Sequence, residues 1–251
     1  MTIFLYDGTL EGFISSLPYL WQNSNYGDKL QSVSGQNPEF FTPTLTLSEN
    51  VISKVKKPES VLYRKTSNTL LHCFSSKDCH ALESAPSFLN YMKKTGTTGF
   101  THLAEPSVDA IMKAAKKTLR EAHNLKGLLR FRQIRSILYG PYFSKNFVLP
   151  ILGRHFKMRL PNQQWLLHDT EHKTGIYYNG KILTQAFFDD SKALELEKIY
   201  DQAGVADDFE QLWIKYFNTI AIKERFNPKL QRSFMPKQYW KFIPEVASRY
   251  T

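Results

Sequence analysis

The stretch "EPSVDAIMKAAKKTLREAHNLKG", Glu105 to Gly127, decides the fold. Val108, Ile111, Met112, Ala115, Leu119, Ala122 and Leu125 recur at helical spacing and form one apolar stripe, and Gly127 stands where a C-terminal cap belongs. Beyond Gly127 the period changes. "LLRFRQI", "SILYGPYF", "QWLLHDT", "TGIYYNG" and "KILTQAF" read as strands, and Asn179-Gly180 is a tight-hairpin signal. One amphipathic helix, "NFVLPILGRHFKMRL", interrupts them, with Pro150 near its first turn. The expected class is α+β, a small and mainly antiparallel sheet with helices before, across and after it.

Working outward, "TIFLYDGT" predicts a strand ending in an Asp7-Gly8 turn, with Thr9 capping a helix that carries Leu10, Phe13, Ile14 and Leu17. Residues 22–60 turn polar and are expected to be a variable loop region with one short strand in "TPTLTLSE". "KDCHALESAPSFLNYMKK" predicts a helix interrupted near Pro86. Downstream, Asp208 and Gln211 form a capping-box-like pair. Phe209, Leu212, Trp213, Tyr216, Phe217 and Ile220 then make a bulky aromatic stripe on a helix that Pro228 ends by about Asn227. Residues 1–251 are expected to form a single domain.

The 251 residues are enough to bury a sizeable core, and 42% hydrophobic with 22% charged residues is ordinary for a globular protein. Only two cysteines, Cys73 and Cys79, are present, so a disulfide framework does not hold the fold. The N-terminus lacks a basic region and a long apolar run, and no stretch approaches the roughly 18–20 apolar residues of a membrane span. A cytoplasmic protein with no membrane association is expected.

Net charge is +10, which favours an anionic partner. The charge is uneven: residues 111–135 hold eight Lys/Arg against one acid, 219–245 hold six against two, and 186–210 hold eight acids against two Lys. Lys113, Lys116, Lys117, Arg120 and His123 line the helix face opposite the apolar stripe. With Lys126, Arg130, Arg132 and Arg135 they make a candidate phosphate-contacting footprint, the plainer alternative being a solvated face. In the C-terminal segment Lys223, Arg225, Lys229, Arg232, Lys237 and Lys241 alternate with Phe226, Phe234, Tyr239, Trp240 and Phe242. Cations with interleaved rings suit stacked nucleotides; rings anchoring a proline-punctuated tail to the core is the alternative, and the two are compatible.

"HCFSSKDCH" gathers His72, Cys73, Cys79 and His80, yet the spacing matches no familiar zinc pattern, so no metal is expected. "LLHDT" places His168-Asp169 at a strand end, candidates for acid–base work with His123 as a companion. "TGTTGF" lacks the spacing and the Lys of a phosphate-binding loop. No cofactor is expected.

"AIKERFNPKLQRSFMPKQYWKFIPE" (221–245) resembles the end of a bacterial group described as probable DNA metabolism proteins. "FLYDGTLEGF" resembles its opening, "REAHNLKGLLRF" its middle, and "NFVLPILGRHF" with "QWLLHD" its later part. The resemblance implies a setting beside a radical S-adenosylmethionine protein of DNA modification or repair. The domain is also similar to one fused to uracil-DNA-glycosylase-like domains. Two cysteines cannot supply the triplet that a radical enzyme's cluster needs, so such chemistry would belong to the partner. Where the resemblance implies an Asp-His pair before Asn146, this chain has Ser144 and Lys145; residues 22–57 also depart. Three functions follow as expectations: a nucleic-acid-binding accessory of that enzyme, an enzyme acting directly on DNA bases, or an assembly module binding an acidic protein.

Overall fold

A computed structural model describes residues 1–33, 43–53, 55–205 and 208–250. In chain order the elements are β1 (Ile3–Tyr6), α1 (Leu10–Asn23), β2 (Lys29–Ser32), β3 (Thr44–Thr46), α2 (Glu49–Ile52), α3 (Val61–Phe74), α4 (Ala85–Thr95) and α5 (Pro106–Leu128). There follow β4 (Arg132–Ile134), β5 (Ile137–Tyr142), α6 (Leu149–Arg159), β6 (Trp165–Asp169), β7 (Thr174–Tyr178) and β8 (Leu183–Phe187). The last helices are α7 (Asp190–Val205), α8 (Asp208–Ile220), α9 (Pro228–Phe234) and α10 (Pro244–Tyr250). The chain divides into two compact units, Met1–Leu119 and Arg120–Thr251. Among the described residues no helix is long and apolar enough to cross a membrane.

The first unit holds a three-stranded sheet in the order β2-β1-β3, parallel throughout. All four residues of β1 are buried, as a central parallel strand covered on both faces requires. Thr9 caps α1 by accepting from Gly12 N at 3.0 Å, while the Asp7 carboxylate accepts from the Thr9 N–H and hydroxyl. Phe13, Leu17, Leu20, Leu70, Phe88 and Ile111 centre the core. Each such side chain contributes roughly 1.5–3 kcal/mol by leaving water.

The second unit holds a five-stranded sheet in the order β4-β5-β6-β7-β8. All five strands lie within the stretches that read as strands in the sequence. The expectation of a mainly antiparallel sheet is corrected: this sheet is mixed, and the first unit's is wholly parallel. β5 and β6 run parallel because α6 carries the chain back between them, the connection that parallel neighbours need. β2 lies in the region expected to be mostly loop; its four residues, Lys-Leu-Gln-Ser, are too few and too polar to show a period. Trp165, Leu167, Leu152, Phe156, Ile243 and Val246 pack into one cluster of this unit. Tyr139, Tyr200 and Phe242 form another.

The buried stripe of α5 shifts along its length. Val108, Ile111, Ala115, Ala122 and Leu125 are buried as expected, but Leu119 is 44% exposed. Thr118 and Glu121 are buried instead. A carboxylate on the buried side of an otherwise basic helix needs donors around it, and these define the site below.

Candidate functional site

The carboxyl ends of parallel strands are where open sheets gather ligands and catalytic groups. Here the parallel pair ends at Tyr142 of β5 and Asp169 of β6. The Asp169 carboxylate is fully buried. Its Oδ2 accepts from Ser144 Oγ and from His172 Nδ1, both at 2.9 Å, and its Oδ1 accepts from the Glu171 and His172 N–H groups, both at 3.2 Å. A carboxylate facing Nδ1 at this distance puts the imidazole proton there and leaves Nε2 for any reacting group. The hydrogen bond to Asp169 raises the His172 pKa against the opposing effect of burial. The Phe147 ring meets the imidazole edge-on at 5.5 Å, and the His172 side chain stays 29% exposed.

Glu121 supplies a second buried carboxylate. Its Oε1 accepts from the Lys145 N–H at 3.0 Å, Tyr239 OH at 3.2 Å and Gln238 Nε2 at 3.3 Å. Its Oε2 accepts from Asn146 N at 2.9 Å and Asn146 Nδ2 at 2.6 Å. One side chain thus ties α5 to the segment after β5 and to the C-terminal segment. The Tyr142 phenol is buried, and its hydroxyl has no hydrogen-bond partner of ordinary geometry among the described residues. Burial raises its pKa well above 10.0, and the charges of Asp169 and Glu121 add to that rise. Burial also pushes Tyr239 up to about 12, with the Glu121 charge acting in the same direction. The arrangement is an imidazole oriented by a buried carboxylate, beside a second carboxylate held by five donors. It can move a proton at His172 Nε2.

Residues 81–245 match a family described as a domain of unknown function, DUF4130. The chain belongs to this family. No curated protein and no solved structure matches it. Glu121, Ser144, Asn146, Asp169, His172 and Gln238 all fall within the matched DUF4130 residues.

The DUF4130 site differs from the pairing suggested by "LLHDT". His168 and Asp169 are neighbours on β6 and so point to opposite faces of the sheet. His168 is fully buried, with Nδ1 at 2.6 Å from Tyr139 OH and its ring centroid 4.2 Å from that of Phe188. Burial lowers its pKa. His123 is exposed on α5. The imidazole that meets Asp169 is His172, three residues on. Neither His172 nor Glu121 stood out in the sequence, although Glu121 is the one acid among the eight cations of residues 111–135. The departure at Ser144-Lys145 falls at this site, since Ser144 donates to Asp169 and the Lys145 N–H to Glu121.

Cys73 is buried, His72 is half-buried with its pKa lowered by burial, and His80 lies 3.7 Å from Glu83. The side chains of Cys79 and Lys223 lie outside the described residues. Among the described residues no group of three or more His, Cys, Asp or Glu could hold a metal ion.

The cations divide. Lys113 pairs with Asp109 at 2.7 Å and Lys117 with Asp78 at 2.8 Å in the first unit. In the second, Arg130 reaches Glu245 at 2.6 Å, and Lys241 reaches Glu197 at 2.8 Å. Arg132 binds Glu210 through two bonds of 2.6 Å and lies 3.9 Å from the Tyr200 ring. The acidic and basic stretches of the sequence therefore meet in Glu197–Lys241 and Glu210–Arg132. Lys116, Arg120, Arg225, Lys229, Arg232 and Lys237 are exposed. Together with the half-buried Lys126, they have no acidic partner among the described residues. The rings divide as well: Tyr239 and Phe242 are buried, Trp240 is half-buried with Nε1 donating to Met235 O at 2.8 Å, and Phe226 and Phe234 are 53% and 75% exposed.

Proposed function

We propose that the chain is a nucleic-acid-binding accessory in DNA repair or modification, working in the cytoplasm with a radical S-adenosylmethionine enzyme that performs the chemistry. The observation that carries this reading is the division of the cations. Lys113 and Lys117 of α5, and Arg130 just beyond its end, are neutralised by carboxylates, whereas Lys116, Arg120 and Lys126 of α5 are not. Unneutralised cations in a chain of net charge +10 supply the sequence-tolerant phosphate contacts that dominate nucleic-acid affinity. Reconstitution tests the division of labour. The partner enzyme should modify or repair DNA only when this chain is present, and full activity of the partner alone would overturn the reading.

The Asp169–His172 pair favours a second reading, an enzyme acting directly on DNA bases. His172 Nε2 would then transfer the proton while Asp169 holds the ring. General acid–base groups contribute about 10²–10⁴-fold, so His172→Gln should cost that much in any base-processing activity of the chain alone. If the chain by itself leaves oligonucleotides unaltered, this second reading fails and the first stands.

A further inference from the structure

The apolar stripe of α8 faces solvent. Phe209, Leu212, Trp213, Tyr216 and Ile220, spaced 3, 1, 3 and 4 residues apart, are 85%, 61%, 44%, 55% and 55% exposed. The helix touches its own unit through the adjoining side, where Glu210, Ile214 and the stripe's Phe217 are half-buried and Glu210 is fixed by Arg132. An amphipathic helix normally turns its stripe inward, so this one presents a contact surface. From Ile220 the surface continues into a groove of about 800 Å³ lined by Ile222, Arg225, Phe226, Leu230 and Phe234.

We propose that this stripe and groove dock an amphipathic helix of a partner protein whose apolar residues are flanked by Asp and Glu. Three observations select that occupant. The aliphatic side chains of Leu212, Ile220, Ile222 and Leu230 interrupt the rings, which suits a helix laid into a groove and breaks up a base-stacking platform. Lys215, Arg225, Lys229 and Arg232 are exposed along the surface against Asp208 and Glu224, so its surplus is cationic. A second copy of the chain docking through this same patch would bring two surfaces of the same cationic surplus together, which disfavours it. The proposal is independent of phosphate binding by α5, and it assigns Arg225, Lys229 and Arg232 to a protein contact.

The test uses the full chain and a labelled 16-residue synthetic helix with Leu and Phe at i, i+3, i+4 and i+7 and Glu at the flanking positions. A peptide with Lys at those flanks and a single-stranded thymidine 16-mer serve as the other two arms. Fluorescence anisotropy should show the Glu-flanked peptide binding at least tenfold more tightly than the Lys-flanked one. The double variant Leu212→Ala/Ile220→Ala should lose at least tenfold for that peptide with unchanged melting. Arg225→Glu/Arg232→Glu should erase the preference between peptides. Equal affinity for both peptides, or no binding of either, overturns the proposal. So does displacement of the peptide by the 16-mer, which would make the surface a nucleic-acid platform. Self-association abolished by Leu212→Ala/Ile220→Ala would assign it to a second copy instead.

Discussion

Asp169 Oδ2 accepts a hydrogen bond from His172 Nδ1 at 2.9 Å, so the imidazole partner of this carboxylate lies three residues downstream in the β6–β7 hairpin. Ser144 from the end of β5 shares the same oxygen. The centre thus joins the carboxyl ends of the two parallel strands.

Its pH dependence has a definite sign. The folded pKa of His172 is raised above its ordinary 6.5, so its contribution to stability is complete below that pH and is lost as pH rises through the raised value. His168 acts oppositely. Its folded pKa is lowered, so stability falls as pH drops from 6.5 through the lowered value. Comparing the wild type with His172→Gln isolates the first term. The wild type's advantage in urea unfolding should be larger near pH 6 and shrink toward pH 8; an advantage that grows with pH would contradict the assignment.

Removing Glu121 should be far worse than neutralising it. Glu121→Ala strands five donors around a buried position and should cost about 3 kcal/mol or more. Glu121→Gln keeps one good acceptor and should cost clearly less. Urea unfolding at neutral pH compares the two, and equal losses would mean that the network is not what the carboxylate supports.

Gly175 on β7 tolerates no side chain. A Cβ there would lie 2.5 Å from the Leu167 carbonyl oxygen and 2.7 Å from the Phe188 ring. The half-buried ring could shift but the strand backbone cannot, so Gly175→Ala should destabilise by about 1–3 kcal/mol. Arg135 is the reverse case. It occupies the left-handed region, φ 55°, in the turn between β4 and β5. Arg135→Gly should therefore raise stability by about 0.5–1 kcal/mol in thermal unfolding.

The five strands of the second sheet were legible because short runs rich in aromatic and aliphatic residues stand between turn residues, and Asn179-Gly180 marks one hairpin. The parallel pair was legible only in part. An amphipathic helix between two strand stretches signals a crossover, yet it reads equally as an interruption of an antiparallel sheet. The site was harder. Glu121 sits in a stretch so basic that its single acid looks like a surface residue, and burial is a tertiary property. His172 meets Asp169 only because the hairpin turns tightly, with Lys173 at φ 51°; spacing along the chain does not reveal that. The stripe of α8 was visible from its period, but a period cannot say which way a helix faces.

The central claim is phosphate binding by the unneutralised cations of α5, and the salt dependence of DNA affinity tests it most directly. The logarithm of the binding constant should fall linearly with the logarithm of salt concentration. Lys116→Glu/Arg120→Glu should weaken binding across unrelated sequences and reduce the slope by about 1.8, two contacts at about 0.9 each. Affinity that is flat from about 50 to 200 mM salt, the range over which phosphate contacts lose most of their strength, or a slope unchanged by the two reversals, would contradict the account.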